Sequence, residues 1–378
     1  MSKNYFHAVA TLIGTIIGVG IFAIPYVISK SGIILLFVYL PLLGIVQYFL
    51  HKLYAEIILS TKERHRLPGY AEKYFGKSGK KITLVLVLIG NYGGLLAYII
   101  VGGIFLQQLL GPYFGGNVFF YSTALFILEA AAVLMGMKLL ASAELIMVGL
   151  LLLMVALITW RGWGYVNLDN YSLIDWSNVF LPYGPIFFAV GGEAAIPSVC
   201  RLLARQKEKI KSAICWGTFI PVAVMLFFTV LAVGITGNNT TPDTLAGLNS
   251  IIGNGVVVFA LIFGLLAIIT SFLVLAQAVK EVYWWDLGMN KKLAWGLSCI
   301  VPYFLYLIGF QNLIKVISLT GAVVGGVLGI VVICLVFKVK RKKELAPIIS
   351  NNLSKPFAYF LSLLFILGLI YEIWAVLR

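Results

Sequence analysis

Eleven apolar segments long enough to cross a bilayer follow one another along this chain. They lie near residues 7–30, 33–59, 82–110, 118–137, 140–160, 179–202, 210–236, 252–282, 293–309, 314–337 and 356–377, divided by charged or turn-rich breaks. Crossing the hydrocarbon takes roughly 20 apolar residues, and only helices or closed barrels satisfy their backbone there. The expected fold class is therefore an all-α integral membrane protein of eleven transmembrane helices. With 61% hydrophobic and 11% charged residues among 378, a soluble domain has no way to hide so much apolar surface. The first ten residues precede an apolar run without a small-residue cleavage site, so they read as the start of a retained first helix, not a signal peptide.

The formal net charge of +14 would suggest nucleic acid in a soluble protein, so its distribution matters more than its size. If the amino terminus is inside, 24 of the 28 lysines and arginines fall on the cytoplasmic side. That bias predicts an amino terminus in the cytoplasm and a carboxyl terminus outside. It assigns the positive charge to topology and lipid headgroups, and nucleic acid is not an expected partner. Cys200, Cys215, Cys299 and Cys334 fall within or beside the spans without metal-type spacing, so neither a disulfide framework nor a cysteine metal site is expected.

Two of the spans are poor helices. Residues 11–25, TLIGTIIGVGIFAIP, carry Gly14, Gly18, Gly20 and Pro25; residues 181–203 carry Pro182, Pro185, Gly191, Gly192 and Pro197, with Glu193 in their midst. Broken backbone is tolerated in a membrane only where it lines a protein-enclosed cavity or a ligand site. The first segment alone equally describes a small-residue packing face for another helix. The second one weakens that explanation, because both share G-x-x-A-I-P, at Gly20–Pro25 and Gly192–Pro197. They belong to the first and sixth spans, five steps apart, an odd number, so the two run in opposite directions. Similar broken segments in opposite orientation point to an inverted repeat with its site at the midplane. The chain then reads as one transmembrane domain, 1–378, with a first repeat at 7–160, a second at 179–337 and an extra helix at 356–377.

Other polar residues gain meaning from this frame. Asn91, Gly94, Tyr98 and Gly102 share one face of the third helix, suited to a cavity wall or to ordinary interhelical hydrogen bonds. Thr270 and Ser271, with Ala267 one turn earlier, offer the oxygen ligands a hard cation prefers, unless the hydroxyls bond back to their own helix. Glu129 lies deep in the fourth span and is a minor candidate for proton coupling or a structural partner; Glu144, six residues after Lys138, reads as solvated or paired. Gln277, Lys280 and Glu281 end the eighth span, where side chains can snorkel to the interface or form a gate pair. The loop from Lys62 to Lys81, with Tyr70, Tyr74 and Phe75, reads as an amphipathic helix along the interface and its His65 as solvated. GNNTTPDTLAGLN reads as an external lid. The tenth span, ISLTGAVVGGVLGIVV, suits close packing, and Glu372 near the end of the eleventh reads as solvated.

GTIIGVGIFAIP, GGEAAIPSVCRLL and LAIITSFLVLA together resemble the amino acid-polyamine-organocation transporter superfamily, whose members share the five-plus-five inverted repeat of the LeuT type. Within it the sequence is most similar to the aromatic (tryptophan/tyrosine) amino acid permeases and the amino acid/auxin permeases. The resemblance implies that amides at the first break, around Thr15, Gly18, Val19 and Gly20, receive the substrate carboxylate, helped by the half-helix dipole. Carbonyls of Phe187, Phe188, Ala189 and Val190 would receive the ammonium group. A sodium site would use carbonyls of Gly14, Ile17 and Ala267 and the hydroxyls of Thr270 and Ser271. The lysine that some proton-driven relatives carry in helix 5 is absent here, which favours sodium. Glu193 stands where the tryptophan/tyrosine permeases tend to have histidine; it is a proton carrier, a partner for the ammonium group, or an acceptor for helix 1 amides.

The expected function is a secondary active symporter that imports an amino acid, neutral or aromatic, by alternating access on a sodium or proton gradient. No other cofactor is implied, and an enzyme is disfavoured because the spans hold no nucleophile and base pair. The alternative is a permease-like nutrient receptor, of the kind found in spore germinant receptors, that binds an amino acid without transporting it.

Overall fold

The computed structural model describes residues 3–135, 140–342, 345 and 353–377. All regular structure among them is helical. The first span is two helices, α1 (Lys3–Ile16) and α2 (Gly20–Ser31), bent by 45° about residues 17–19. Pro25 sits inside α2 and not at the bend, so the glycines rather than the proline set the break. The second span is α3 (Ile33–Ser60), and α4 (Leu67–Phe114) follows. Gly76, at φ 75°, divides α4 into a short entry helix and the third span. Tyr70 and Tyr74 on the entry helix are buried against the protein, so it docks on the bundle more than along the lipid interface.

α5 (Val118–Met135) and α6 (Leu140–Gly162) complete the first half. Lys138 lies outside the described residues, as does the side chain of Glu144. The sixth span is again two pieces, α7 (Tyr183–Ala189) and α8 (Ile196–Leu202), separated by residues 190–192 and a single turn at Glu193–Ala195. Pro197 occupies the first turn of α8, where its missing N–H has no partner to lose. The shared G-x-x-A-I-P thus has the same local place twice, where each chain leaves its break and re-enters helix.

α9 (Ile210–Thr236), the short α10 (Leu245–Ile252), α11 (Asn254–Glu281) and α12 (Lys291–Leu307) follow. The tenth span is α13 (Leu313–Ser318), a widened turn at Leu319–Gly325, and α14 (Gly326–Lys342). Small residues there permit close approach: a methyl group on Gly321 would lie 2.1 Å from the Gly184 carbonyl oxygen of α7. α15 (Lys355–Leu377) packs on α14, and Glu372 faces the bundle at 8% exposure, not solvent. Among the described residues nine segments are long and apolar enough to cross a membrane, and the bent first pair makes ten. The span expected near 293–309 is α12, at 17 residues shorter than these. The broken helices lie at the centre, where α1 and α2 pack on α9 and α7 on the widened turn of the tenth span. This leaves both breaks inside protein, as bare backbone in a membrane requires.

Candidate functional site

The two breaks meet. A methyl group on Gly20 would come within 2.6 Å of the Ala189 Cα at the end of α7, so glycine is what allows the second half of span one to cross the first half of span six. Beside this crossing lies a cavity of about 160 Å³. Its wall includes Thr15, Gly18, Val19 and Gly20 from the first break, Phe187, Phe188, Ala189 and Glu193 from the second, and Asn91 and Tyr98 from α4. Val190 is fully buried behind the wall.

Tyr98 reaches across to the first break, and a methyl group on Gly18 would lie 2.7 Å from its hydroxyl. The Gly18 amide donates to the Ile16 carbonyl at 3.0 Å, while the Thr15 hydroxyl donates to the Thr11 carbonyl at 2.8 Å. The Gly18 amide, expected to be open to an anion, therefore has a local partner, as does the Thr15 hydroxyl. Opposite them, Glu193 hydrogen-bonds with the side chain of Gln47 on α3. The cavity thus has the Tyr98 hydroxyl beside the first break and a carboxylate on the side of α7 and α8.

Thr270, Ser271, Ala267 and Gly14 come together next to the first break. The Ser271 hydroxyl donates to the Gly14 carbonyl at 3.0 Å, and the Thr270 hydroxyl donates to the Ala267 carbonyl at 3.0 Å. The first bond joins α11 to the first half of span one; the second is the back-bond to its own helix. Ile17 is buried at the bend, its amide bonded to the Ile13 carbonyl at 2.8 Å. Each pair joins a hydroxyl to a carbonyl, the oxygen chemistry a hard cation prefers.

Sequence reading missed two residues here. His51 of α3 is fully buried; its Nε2 accepts the Gly192 amide at 3.1 Å, and its Nδ1 lies 3.1 Å from the Thr218 hydroxyl. An amide donor at Nε2 requires that nitrogen to be unprotonated, so Nδ1–H donates to Thr218. Gln47 is four residues earlier and shares the face. Polar residues at i and i+4 inside an apolar span were the signal that marked them.

The cavity is crossed at both ends. At one, Arg66 donates from Nε and Nη2 to Oε2 of Glu281 at 2.9 and 2.6 Å, and from Nη1 to the Ala194 carbonyl at 2.8 Å. The gate pair foreseen at Glu281 thus forms with Arg66 of the α3–α4 loop, not with Lys280. His65, next to it, is half-buried at 3.3 Å from Asp286 rather than solvated. Asp286 also takes the amides of Arg66 and Gly69, fixing the start of α4. At the other end, Phe22, Phe105 and Phe228 form a fully buried cluster with ring centroids 5.0 and 6.2 Å apart. The segment read as a lid closes over it through α10. Thr244, held at φ 60°, donates its hydroxyl to the Phe22 carbonyl, and Gln108 donates to Asp243 at 2.8 Å. A β-branched residue in that region is strained, and such strain persists where the fold needs the contact.

The sequence profile of the tryptophan/tyrosine permease family matches residues 1–373. The chain belongs to the tryptophan/tyrosine permease family. Among similar proteins, tyrosine-specific transport systems 1 and 2 of Haemophilus influenzae are 27% and 28% identical to this permease. The first match spans 71% of this chain and 70% of the relative, the second 74% and 73%. Glutamine transporter 2 of Aliivibrio fischeri is 22% identical over 84% of this chain and 86% of its own. In fold the permease is similar to MhsT, solved in complex with L-phenylalanine, at a TM-score of 0.73, 16% identity and coverage of 99% and 98% of the two chains. It is also similar to Mhp1, a nucleobase-cation-symport-1 transporter solved closed around bromovinylhydantoin, at 0.68, 13% identity and coverage of 97% and 90%. The permease is therefore a multi-pass membrane transporter of the LeuT-type fold and not an enzyme.

Proposed function

We propose that the permease is a symporter that imports an aromatic amino acid, with tyrosine the first candidate, by alternating access. The observation that carries this reading is the cavity at the meeting of two broken helices, with Tyr98 against Gly18 on one side and Glu193 beside Gln47 on the other. A zwitterion fits such a site, its carboxylate toward the first break and Tyr98, its ammonium toward Glu193 and the carbonyls of Phe187 to Val190. The apolar wall of Gly94, Leu275, Phe188 and Val324 leaves an aromatic ring a place between α4 and the tenth span. Two relatives, both tyrosine-specific transport systems, support the substrate class.

Within this reading the bundle has eleven spans, α12 among them, in a five-plus-five inverted repeat with α15 outside it. The recurrence of G-x-x-A-I-P after each break supports the repeat. The distribution of basic residues supports an amino terminus and an Arg66–Glu281 bridge in the cytoplasm, with α10 and the carboxyl terminus outside. Sodium is the proposed coupling ion, held by Gly14, Ile17, Ala267, Thr270 and Ser271; the Ser271 to Gly14 contact supports that assignment. The receptor alternative draws no support from the relatives. Because a bound ligand raises apparent stability by mass action, a thermal-shift screen of the twenty amino acids with and without sodium tests the proposal. Stabilisation by tyrosine, phenylalanine or tryptophan that grows with sodium is expected; stabilisation by small polar amino acids alone would reject the substrate class.

A further inference from the structure

Glu129 of α5 is 1% exposed, and neither of its carboxyl oxygens has a hydrogen-bond partner among the described residues. A buried ionised carboxylate without partners is among the costliest arrangements a membrane helix can hold. Three elements pack against α5: α4, α11 and α12. From α4 it is faced by Tyr98, and from α12 by the buried thiol of Cys299. Lys280 of α11 acts on the same thiol. Trp295 of α12 fixes α5 alongside by donating to the Ala130 carbonyl at 2.9 Å. Tyr98 is also the residue that closes on Gly18 at the first break.

We propose that Glu129 is a proton site of this permease, linked through Tyr98 to the substrate carboxylate. The proposal rests on the transporter reading. Two negative charges on either side of one tyrosine disfavour each other, so substrate binding draws a proton onto Glu129, and by reciprocity the proton favours substrate. The proton enters from bulk water and adds to one carboxylate oxygen; no other bond changes.

Calorimetric titration of the purified permease with L-tyrosine, at fixed sodium and in buffers of different ionisation enthalpy, tests this. The wild type should take up one proton on binding, and its apparent Kd should weaken about tenfold per pH unit on the alkaline side. Glu129→Gln should bind L-tyrosine without proton uptake and with a flat pH profile. Proton uptake that persists in Glu129→Gln, or none in the wild type, overturns the proposal. If Glu129→Gln does not bind, Glu129→Asp decides: a shifted pH midpoint supports the site and an unshifted one rejects it. If the wild type binds no aromatic amino acid, the substrate reading fails on its own. The proton site is then read from the pH dependence of thermal unfolding, which Glu129→Gln must alter.

Discussion

The amide of Gly192 donates to Nε2 of His51 across 3.1 Å, tying the break in the sixth span to a side chain of α3. A glycine amide freed from helical pairing in a membrane needs a partner, and His51, itself anchored by Thr218, supplies it. His51→Ala leaves that amide and the Thr218 hydroxyl unpaired, at a cost of about 1–3 kcal/mol. It should lower the unfolding temperature and weaken substrate binding together. His51→Gln keeps an acceptor in place and should recover part of both in thermal unfolding with and without L-tyrosine.

Gly18 and Gly20 should respond differently to alanine. The methyl group at Gly20 meets the backbone of Ala189, whereas at Gly18 it meets the end of the Tyr98 side chain. Gly20→Ala should therefore fail to fold or unfold far below the wild type. Gly18→Ala should fold, with Tyr98 displaced and affinity for L-tyrosine reduced about tenfold or more, the equivalent of about 1.4 kcal/mol. Fluorescence-detected gel filtration and a binding titration separate the two outcomes.

Ser271→Ala removes both a hydroxyl ligand and the bond to the Gly14 carbonyl. The sodium concentration for half-maximal uptake should rise about tenfold, one lost contact's worth of binding energy. Sodium titration of uptake measures it, and an unchanged value would remove helix α11 from the ion site.

The Arg66–Glu281 bridge is nearly inaccessible, with side chains 6% and 5% exposed. Removing one partner of a buried pair costs up to about 3–5 kcal/mol, and here Gln277 and Arg201, 3.1 and 3.8 Å from Glu281, offset part of that loss. Arg66→Ala should shift the permease toward an opening at that end. In a background lacking the four native cysteines, a cysteine at Ala278 on the cavity wall should then react with an impermeant thiol reagent from the cytoplasmic side.

What was legible in the sequence was legible for a physical reason. Glycine and proline interrupt a helix wherever they stand, so both breaks and their shared G-x-x-A-I-P could be read directly. The contacts that complete the site could not, because they join residues far apart. Arg66 and Glu281 are separated by 215 positions and His51 and Gly192 by 141, and each side chain alone looks like a loop cation or a stray polar group. His65 and Glu372 were misjudged for the same reason: exposure depends on what docks against a segment, which periodicity does not record. The amide of Gly18 was read as open to substrate, whereas a tight turn at the break gives it the Ile16 carbonyl.

The central claim is that the meeting of the two broken helices moves an aromatic amino acid by means of an ion gradient. Uptake of labelled L-tyrosine into proteoliposomes carrying the purified permease tests it most directly. The account predicts accumulation above the external concentration under an inward sodium gradient, collapsing to equilibrium when the gradient is dissipated. Binding of L-tyrosine without accumulation under any imposed sodium or proton gradient would contradict it.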